Sequence, residues 1–357
     1  MIAGLFRSRA AQLERAGRSR LYVELMRGAA DDLDARGIVA SILEADPATP
    51  DSVPELRLLA ALHHLVLAGG APELARFFPS AGGGAAPGDA WPVAQRTLAE
   101  NEDFIRGRVG RTLQTNEPGR CVALYGGLLW LSERHRLPIR LLEIGASAGL
   151  NLNADRFAYV VGDATLGEPS SALTFREPWV GAPVADPVAA AARLRVVERR
   201  GCDLAPIDPT TRDGRLELLS YIWPDEPDRL ARVEHAAQVA AQHPAPVDRR
   251  SAAAWLALRL ADASPNALTV IWQSVVNQYL DEAERGALRS VFESAGAARL
   301  AWLTLEPPGA PRATGGADSF ELRCRERPEA DGRGTPHVLG RAGYHGPPVV
   351  WEGARRG

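Results

Sequence analysis

The sequence predicts an α/β protein in which an all-helical N-terminal domain precedes a mostly parallel sheet. Three observations support this fold class. Apolar residues recur at helical spacing up to about residue 137, strand-like and helix-like segments alternate from residue 138 onward, and the first strand-like segment ends in a tight loop of small residues. We therefore expect a helical domain over residues 1–137 and an α/β domain over residues 138–357.

The N-terminal part lacks the alternation of apolar and polar residues that is typical of strands. Leu56, Leu59 and Leu62 illustrate its helical spacing, and Pro- and Gly-rich segments separate the helices. The composition of residues 80–89 predicts a flexible loop that divides these helices into two groups. The apolar segment from Cys121 to Leu131 predicts a buried helix that leads into the first strand.

The C-terminal part contains the predicted sheet. Strands are predicted at about residues 139–144, 194–198, 267–272 and 299–305. Helices are predicted at residues 228–241, 248–261 and 281–294. Between the first two strands, residues 157–161 and 172–175 predict an inserted hairpin near residues 156–185. Residues 319–323 and 337–341 predict two short strands that close the sheet edge in antiparallel orientation.

The loop after the first predicted strand is the most informative segment of the chain. Glycine tolerates positive φ and lets a ligand approach the backbone, so Gly145 and Gly149 suit a turn whose N–H groups face a ligand at a helix N-terminus. Glu143 would oppose the pyrophosphate of a dinucleotide but suits a ligand that carries an ammonium and a sulfonium. The loop therefore favours S-adenosylmethionine (SAM) over NAD.

The same loop matches a second pattern. Gly145 to Gly149 reads G-x-S-x-G, the turn that exposes a nucleophilic serine in α/β-hydrolases, and His337 and His345 follow later in the chain. A hydrolase would place several strands and an oxyanion loop before Ser147, whereas the preceding part is predicted to be helical. We therefore favour a cofactor loop, and a nucleophilic Ser147 or a purely structural turn remains an alternative.

A mostly parallel, Rossmann-like sheet binds ligands at the carboxyl ends of its strands. Asp203 follows the second predicted parallel strand, where a carboxylate can accept hydrogen bonds from both ribose hydroxyls. Asp163 fits the usual spacing of about 20 residues better, but residues 151–157 are too short for a crossover helix that would bring residues 157–161 parallel to the first strand. We therefore prefer Asp203, for which a loop-capping role is the structural alternative.

Polar residues also follow the third predicted parallel strand. Gln273, Ser274 and Asn277 could hold a methyl acceptor in line with a sulfonium, which is most of what methyl transfer requires. None of them is an evident general base, so the acceptor would supply a readily ionised nucleophile or Asp208 would act through water. A structural role, in which Gln273 and Asn277 hydrogen-bond loop backbone, is the alternative.

The composition excludes several function classes. The net charge of −3 provides no basic surface for nucleic acid. The sequence contains no lysine, so Schiff-base chemistry on lysine and a P-loop lysine are impossible. The cysteines and histidines lack metal-ligand spacing, so we expect no metal site. No signal peptide and no apolar run of membrane-spanning length is evident, and we expect a cytoplasmic protein without a membrane or nucleic-acid partner.

Four segments, in this order, resemble the motif series of the bacterial domain-of-unknown-function family 2332 over nearly the whole chain. They are Gln114-Thr115-Asn116-Glu117-x-Gly119-Arg120-Cys121, the GASAGLNL core within residues 141–153, Gly201-x-Asp203-Leu204-x-Pro206 and Trp223-Pro224. That family in turn resembles class I SAM-dependent methyltransferases. The resemblance implies a Rossmann-like, class I methyltransferase-like fold that binds SAM. The usual methyltransferase loop is E-x-G-x-G-x-G, and Ser147 replaces its middle glycine.

These features predict a SAM-dependent methyltransferase that acts on a small molecule. The predicted cofactor-binding residues are Glu143, Gly145, Ser147, Gly149, Asn151 and Asp203, and the predicted catalytic residues are Gln273, Asn277 and Asp208. The helical domain would cover the cofactor and help to form the substrate pocket. Two alternatives stay open: an esterase of the α/β-hydrolase type that uses Ser147, and a non-catalytic ligand-binding protein on the same fold.

Overall fold

The computed structural model describes residues 2–44, 53–262, 265–296, 299–309, 319–327 and 336–352. Its helices are α1 (Ile2–Arg15), α2 (Arg20–Asp34), α3 (Ile38–Leu43), α4 (Pro54–Leu67), α5 (Pro72–Ala75), α6 (Ala90–Glu100), α7 (Glu102–Val109), α8 (Cys121–His135), α9 (Pro187–Arg193), α10 (Arg212–Ser220), α11 (Pro227–Gln242), α12 (Ala252–Ala261) and α13 (Glu282–Ser294). Its strands are β1 (Ile139–Ile144), β2 (Ala158–Val161), β3 (Ala164–Gly167), β4 (Thr174–Arg176), β5 (Trp179–Val180), β6 (Val196–Asp203), β7 (Val247–Arg249), β8 (Leu268–Ser274), β9 (Leu300–Glu306), β10 (Phe320–Arg327), β11 (His337–Gly343) and β12 (Gly346–Trp351).

The chain divides into two compact units. The helical unit comprises Met1–Thr115 and Thr211–Glu234, and the sheet unit comprises Asn116–Thr210 and His235–Gly357. This division differs in two places from the predicted domains, 1–137 and 138–357. Helix α8 belongs to the sheet unit, and the segment that contains α10 belongs to the helical unit.

Side-chain packing explains both differences. On α8, a Cβ atom added at Gly126 would lie 2.2 Å from the Trp351 ring, and one added at Gly127 would lie 2.9 Å from Leu303. The helix therefore packs closely on β12 and β9, which glycine permits. In the helical unit, the buried His63 of α4 forms a 3.3 Å hydrogen bond from Nδ1 to the carbonyl oxygen of Ser220 at the end of α10.

The helical unit has its own apolar core. Up to Val109, the described residues of its N-terminal segment form helices joined by turns, and no strand occurs among them. The spacing of apolar residues predicts this. The core includes Phe6, Leu25, Leu59 and Phe78, each less than 2% exposed. Residues 80–89, predicted as a flexible loop, include parts of two short 3-10 helices that each begin at a proline.

The sheet unit is built on a nine-stranded mixed sheet in the order β5-β12-β11-β10-β9-β8-β1-β6-β7. Strands β7, β6, β1, β8 and β9 are parallel neighbours, and β10 pairs antiparallel with both β9 and β11. All six residues of β1 are buried, which is typical of a central parallel strand covered on both faces. The predicted mixture of helices with a large, mostly parallel sheet is therefore confirmed.

Most predicted strands are present with shifted ends. Strand β1 has its predicted bounds, whereas β6 continues five residues further, from predicted residue 198 to Asp203. The two predicted C-terminal strands occur as β10 and β11, and the sequence prediction missed β12. The helix predicted over residues 248–261 begins only at Ala252, because residues 247–249 form β7 and Asp248 binds Arg200 of β6.

The inserted segment forms a separate three-stranded sheet in the order β3-β2-β4. Its hairpin joins β2 to β3 through Gly162 and Asp163, and the φ of Gly162 is +54°. Such a two-residue connection needs positive φ, which glycine adopts at little cost. The predicted partner of β2, residues 172–175, overlaps β4, which instead runs parallel to β2. Asp163 thus lies in the turn of this small sheet.

The turn after β1 needs positive φ at three positions. The φ angles are +65° at Gly145, +54° at Ser147 and +70° at Gly149. A Cβ atom at Gly145 would lie 2.7 Å from Cγ2 of Val276, closer than Cβ atoms normally approach another side chain. Gly145 is therefore required both for its backbone angle and for the close packing of the loop.

We predict that Gly145→Ala destabilises the protein more than Gly162→Ala does. Both positions have positive φ, which costs a residue with a Cβ atom about 1–2 kcal/mol. A Cβ atom at Gly162 meets no atom within 4 Å, whereas one at Gly145 overlaps Val276 and adds about 1–3 kcal/mol of overpacking. Urea unfolding of the two variants measures the difference, and equal losses of free energy would contradict the packing described for Gly145.

Candidate functional site

Polar residues lie at the carboxyl ends of four neighbouring parallel strands. Asp203 ends β6, Glu143 is the penultimate residue of β1, Ser274 ends β8, and Glu306 ends β9. The chain passes from β1 to β6 on one side and later returns to β8 on the other side of β1. In open α/β sheets, ligands bind at the carboxyl ends of the strands where the strand order reverses. The edge between β1 and β8 is therefore the candidate site.

Asp203 holds the loop that follows β1. Its Oδ2 accepts a 2.9 Å hydrogen bond from the backbone N–H of Ser147, and its Oδ1 accepts one of 2.9 Å from the N–H of Ala205. The N–H of Ala146 also donates to the carbonyl oxygen of Cys202, at 3.0 Å. These bonds match the loop-capping role weighed in the sequence, and they place Asp203 directly beside the loop.

Ser147 adopts a conformation that is uncommon for serine. Its φ of +54° costs about 1–3 kcal/mol relative to ordinary backbone and persists only where neighbouring contacts hold it. Its N–H donates to Asp203, and its carbonyl oxygen accepts from the N–H of Ile207 at 3.2 Å. Its buried Oγ has no hydrogen-bond partner among the described residues, so none of the described histidines contacts it as a base.

Glu143 is a buried carboxyl group, only 2% exposed. Its Oε1 accepts a 3.3 Å hydrogen bond from Nδ2 of Asn151, and Oδ1 of Asn151 accepts the thiol of Cys121 at 3.1 Å. Burial raises the pKa of Glu143 to about 8, and the charge of Asp203 adds to the rise. Within the described part of the chain, Oε2 of Glu143 has no hydrogen-bond partner.

The segment before α8 also contributes to this edge of the sheet. Oδ1 of Asn116 accepts a 3.0 Å hydrogen bond from the N–H of Leu150, and the carboxylate of Glu117 caps the N–H of Gly119 and lies 3.4 Å from Nδ1 of His345. The sequence indicates this segment only through the family resemblance, and it predicts no site residue there. The sequence feature that could have indicated a site here is a group of polar residues directly before an apolar helix.

Arg120 is the charged residue of this segment that reaches the strand ends. It is 3% exposed, its Nε donates to the carbonyl oxygen of Tyr344 at 3.1 Å, and its Nη1 donates to that of Ser274 at 3.5 Å. Burial raises the pKa values of both Glu143 and Glu306, and the positive charge of Arg120 opposes that rise. The buried Nη2 of Arg120 has no hydrogen-bond partner among the residues that the structure describes.

Gln273 and Asn277 meet at Glu306. Nε2 of Gln273 donates to Oε1 of Glu306 at 3.0 Å and to Oδ1 of Asn277 at 2.9 Å. The backbone N–H groups of Val276 and Asn277 donate to the same Oε1, at 2.9 and 3.2 Å. Burial raises the pKa of Glu306, although these bonds oppose the rise. Sequence reasoning missed Glu306 because its predicted strand ended one residue earlier.

Asp208 and Asp163 are the two remaining acidic candidates. Asp208 is exposed, and its Oδ1 accepts hydrogen bonds from the backbone N–H and the hydroxyl of Thr210, at 2.9 and 2.6 Å. Its neighbour Ile207 binds the Ser147 carbonyl oxygen, so Asp208 lies on the β6 side of the loop. Asp163 lies in the small three-stranded sheet. Asp203, and not Asp163, therefore ends a strand beside the loop.

The raised pKa of Glu143 makes stability depend on pH. Between its ordinary value of 4.5 and about 8, the folded protein binds the Glu143 proton more tightly than the unfolded chain does. The free energy of unfolding should therefore fall as pH rises through this window, by about 1 kcal/mol per pH unit. We predict that Glu143→Gln reduces this fall, because glutamine keeps the acceptor for Asn151 without ionising.

Urea unfolding between pH 5 and pH 8.5 measures the effect. Glu306 also has a raised pKa, so part of the slope should persist in Glu143→Gln. Glu282→Gln, at a position whose side chain is 75% exposed, should follow the parent. A Glu143→Gln variant with the parental slope would contradict the burial of Glu143.

No helix among the described residues is long and apolar enough to cross a membrane. Within the same residues, no three His, Cys, Asp or Glu side chains come together as a metal site.

The comparisons with known proteins identify a family. No curated protein and no solved structure matches the chain. A family model described as an uncharacterized protein conserved in bacteria (DUF2332) matches residues 5–351. Because this match spans nearly the whole sequence, the chain belongs to the DUF2332 family of bacterial proteins.

Proposed function

We propose that this protein is a SAM-dependent methyltransferase that acts on a small molecule. The main support is the order of the parallel strands in the sheet, β7-β6-β1-β8-β9. When these five strands are numbered as they follow one another along the chain, this order is 3-2-1-4-5. This is the order of doubly wound sheets that bind nucleotide-type ligands at the switch point beside the first strand. The small-residue loop follows β1 at that point.

The residues at the switch point fit a ligand of this kind. Carboxyl groups of Glu143 and Asp203 flank the loop, and they favour a cation and hydroxyl donors over a pyrophosphate. The buried Oε2 of Glu143 also lacks a hydrogen-bond partner among the described residues, as expected for a group that contacts a ligand. When bound, SAM would supply a methyl group on a sulfonium.

In this proposal, the carboxylate of Asp203 accepts hydrogen bonds from the ribose hydroxyls. Its hydrogen bonds from the backbone N–H groups of Ser147 and Ala205 hold the loop in place. Gln273 and Asn277 orient the methyl acceptor at the end of β8, where Glu306 binds the Gln273 amide and that amide binds Oδ1 of Asn277. Glu306 is a candidate proton acceptor in addition to Asp208, because its buried Oε2 has no partner within the described ranges. The exposed Asp208 would act through water.

Titration calorimetry with SAM, S-adenosylhomocysteine and NAD tests this proposal. We predict that the first two ligands bind and raise the melting temperature, because a ligand selective for the folded state stabilises it. Binding should weaken roughly ten- to a hundredfold in Asp203→Asn, the scale of hydrogen bonds to a charged group. Asp163→Asn is the matched control, since Asp163 lies in the β2–β3 turn, and it should bind as the parent does.

Because Asp203 also caps the loop, the urea midpoints of both variants must be compared with the parent. Absence of heat and of a thermal shift at millimolar SAM would remove the support for the proposal. Binding of NAD alone would indicate a dehydrogenase. Loss of binding in Asp163→Asn but not in Asp203→Asn would show that the ligand lies elsewhere.

The positive φ of Ser147 within G-x-S-x-G is the observation that favours the alternative hydrolase. A nucleophilic serine needs a base within hydrogen-bond distance, and Oγ of Ser147 has no partner among the described residues. We therefore predict that a fluorophosphonate probe does not label this serine. Ser147→Ala should leave SAM affinity within about tenfold, the scale of one hydrogen bond. Stoichiometric labelling that disappears in Ser147→Ala would establish the hydrolase.

A further inference from the structure

The helical unit has a cleft whose lining residues all belong to that unit. The cleft encloses about 230 Å³, its open mouth included. Three arginines line it: Arg57 of α4, Arg108 of α7 and Arg111 of the segment after α7. No acidic residue is among the described residues of its wall. A wall that presents guanidinium groups without carboxylates favours an anion as the ligand.

Two acidic residues contact these arginines from outside the lining. Oε2 of Glu217 lies 2.7 Å from Nη1 of Arg111 and 3.8 Å from Nη1 of Arg108, and Oδ1 of Asp213 lies 3.3 Å from Nη2 of Arg108. The two guanidiniums thus share Glu217, whereas the side chain of Asp213 is 70% exposed and water screens its charge. An additional anion in the cleft would therefore stabilise both guanidiniums.

Arg108 is the most constrained of these groups, because its side chain is only 10% exposed. Its Nη2 donates a hydrogen bond to Nε2 of the buried His64. Burial lowers the pKa of His64 to about 4, and the charge of Arg108 adds to the fall, so the ring is neutral at pH 7 and can accept this bond. Burial also lowers the pKa of Arg108, and the charge of Arg111 contributes. The guanidinium is thus held in place while its charge is incompletely compensated.

The cleft also has an apolar part. Ala60 and Ala61 of α4 and Leu113 after α7 line it together with the arginines. These residues offer hydrocarbon surface, which favours an apolar portion of a ligand over water. Pockets for drug-sized molecules usually enclose about 300–1,000 Å³, so this cleft suits a smaller one.

We propose that this cleft binds a small organic acid, with its carboxylate on Arg108 and Arg111 and its hydrocarbon chain against Ala60 and Leu113. The two oxygens of a carboxylate match the fork of a guanidinium. A carboxylate carries a single negative charge, so Glu217 repels it less than it repels a doubly charged phosphate. The inference does not rest on the proposed methyltransferase, because it involves only residues of the helical unit.

Titration calorimetry of the full chain with acetate, butyrate and hexanoate, at pH 7 and constant ionic strength, tests the inference. Each CH₂ group that becomes buried strengthens binding about fourfold, so we expect affinity to rise along this series. Hexanamide has the chain of hexanoate without its charge, and it should not bind measurably. Inorganic phosphate has charge without a chain, and it should bind more weakly than hexanoate.

We expect Arg111→Met to weaken hexanoate binding roughly ten- to a hundredfold, the scale of hydrogen bonds to a charged group. Arg111 is the better position for this test because its side chain is 50% exposed, so its replacement should disturb folding less than that of Arg108. Arg76→Met is the matched control in the same unit, because the side chain of Arg76 is 63% exposed and Arg76 is not among the residues that line the cleft. It should bind hexanoate as the parent does.

Leu113→Ala tests the apolar contact separately. It keeps all three arginines, so it should reduce the gain from acetate to hexanoate and leave acetate affinity unchanged. Urea midpoints equal to that of the parent would show that each variant folds, and Leu113→Ala still tests the cleft if Arg111→Met does not fold.

Three results would overturn the inference. The first is the absence of heat with every acid at millimolar concentration. The second is hexanoate affinity that neither Arg111→Met nor Leu113→Ala changes, which would place the acid elsewhere. The third is tighter binding of inorganic phosphate than of hexanoate, which would make the cleft a phosphate site. None of these results depends on whether SAM binds, so the inference and the proposed function can fail separately.

Discussion

The arrangement of residues at the end of β1 depends on one constraint: polar groups in a fully buried strand need hydrogen-bond partners from the protein. Glu143 lies where water cannot reach it, so the protein must supply its hydrogen bonds. Asn151, in the 3-10 helix Leu150–Arg156 after the loop, donates to Oε1 of Glu143, and its own oxygen is bound by the Cys121 thiol of α8. One buried carboxyl group thus links the strand, the loop and the helix that precedes the strand.

Glu306 has the corresponding position at the end of β9. Its Oε1 accepts three N–H groups, two from the backbone after β8 and one from Gln273. The indole N–H of Trp302 binds the oxygen of the same Gln273 amide at 3.1 Å. The amide is therefore fixed at both ends by its neighbours, and such support is what a site needs if a side chain is to orient a ligand.

The charge of Arg120 acts on both carboxyl groups, and the balance of charge at the sheet edge depends on it. Burial disfavours the ionised form of both acids, whereas the guanidinium favours it. The net effect is a raised pKa at each carboxyl group, so protons and cations compete for the same oxygens. Groups with pKa values shifted in this way concentrate at functional sites.

The sequence by itself determined most of the local structure. Apolar spacing identified the helices of the N-terminal part and the four parallel strands β1, β6, β8 and β9. The small residues identified the loop at Gly145. These features depend on neighbours along the chain, which a periodic pattern records. Only the tertiary structure decided that Asn116 binds Leu150 after the loop and that Arg120 and Glu306 bind residues at the end of β8. It also decided that β4 runs parallel to β2 and that α8 belongs with the sheet. Those outcomes depend on which distant segments pack together, and no spacing within a single segment carries that information.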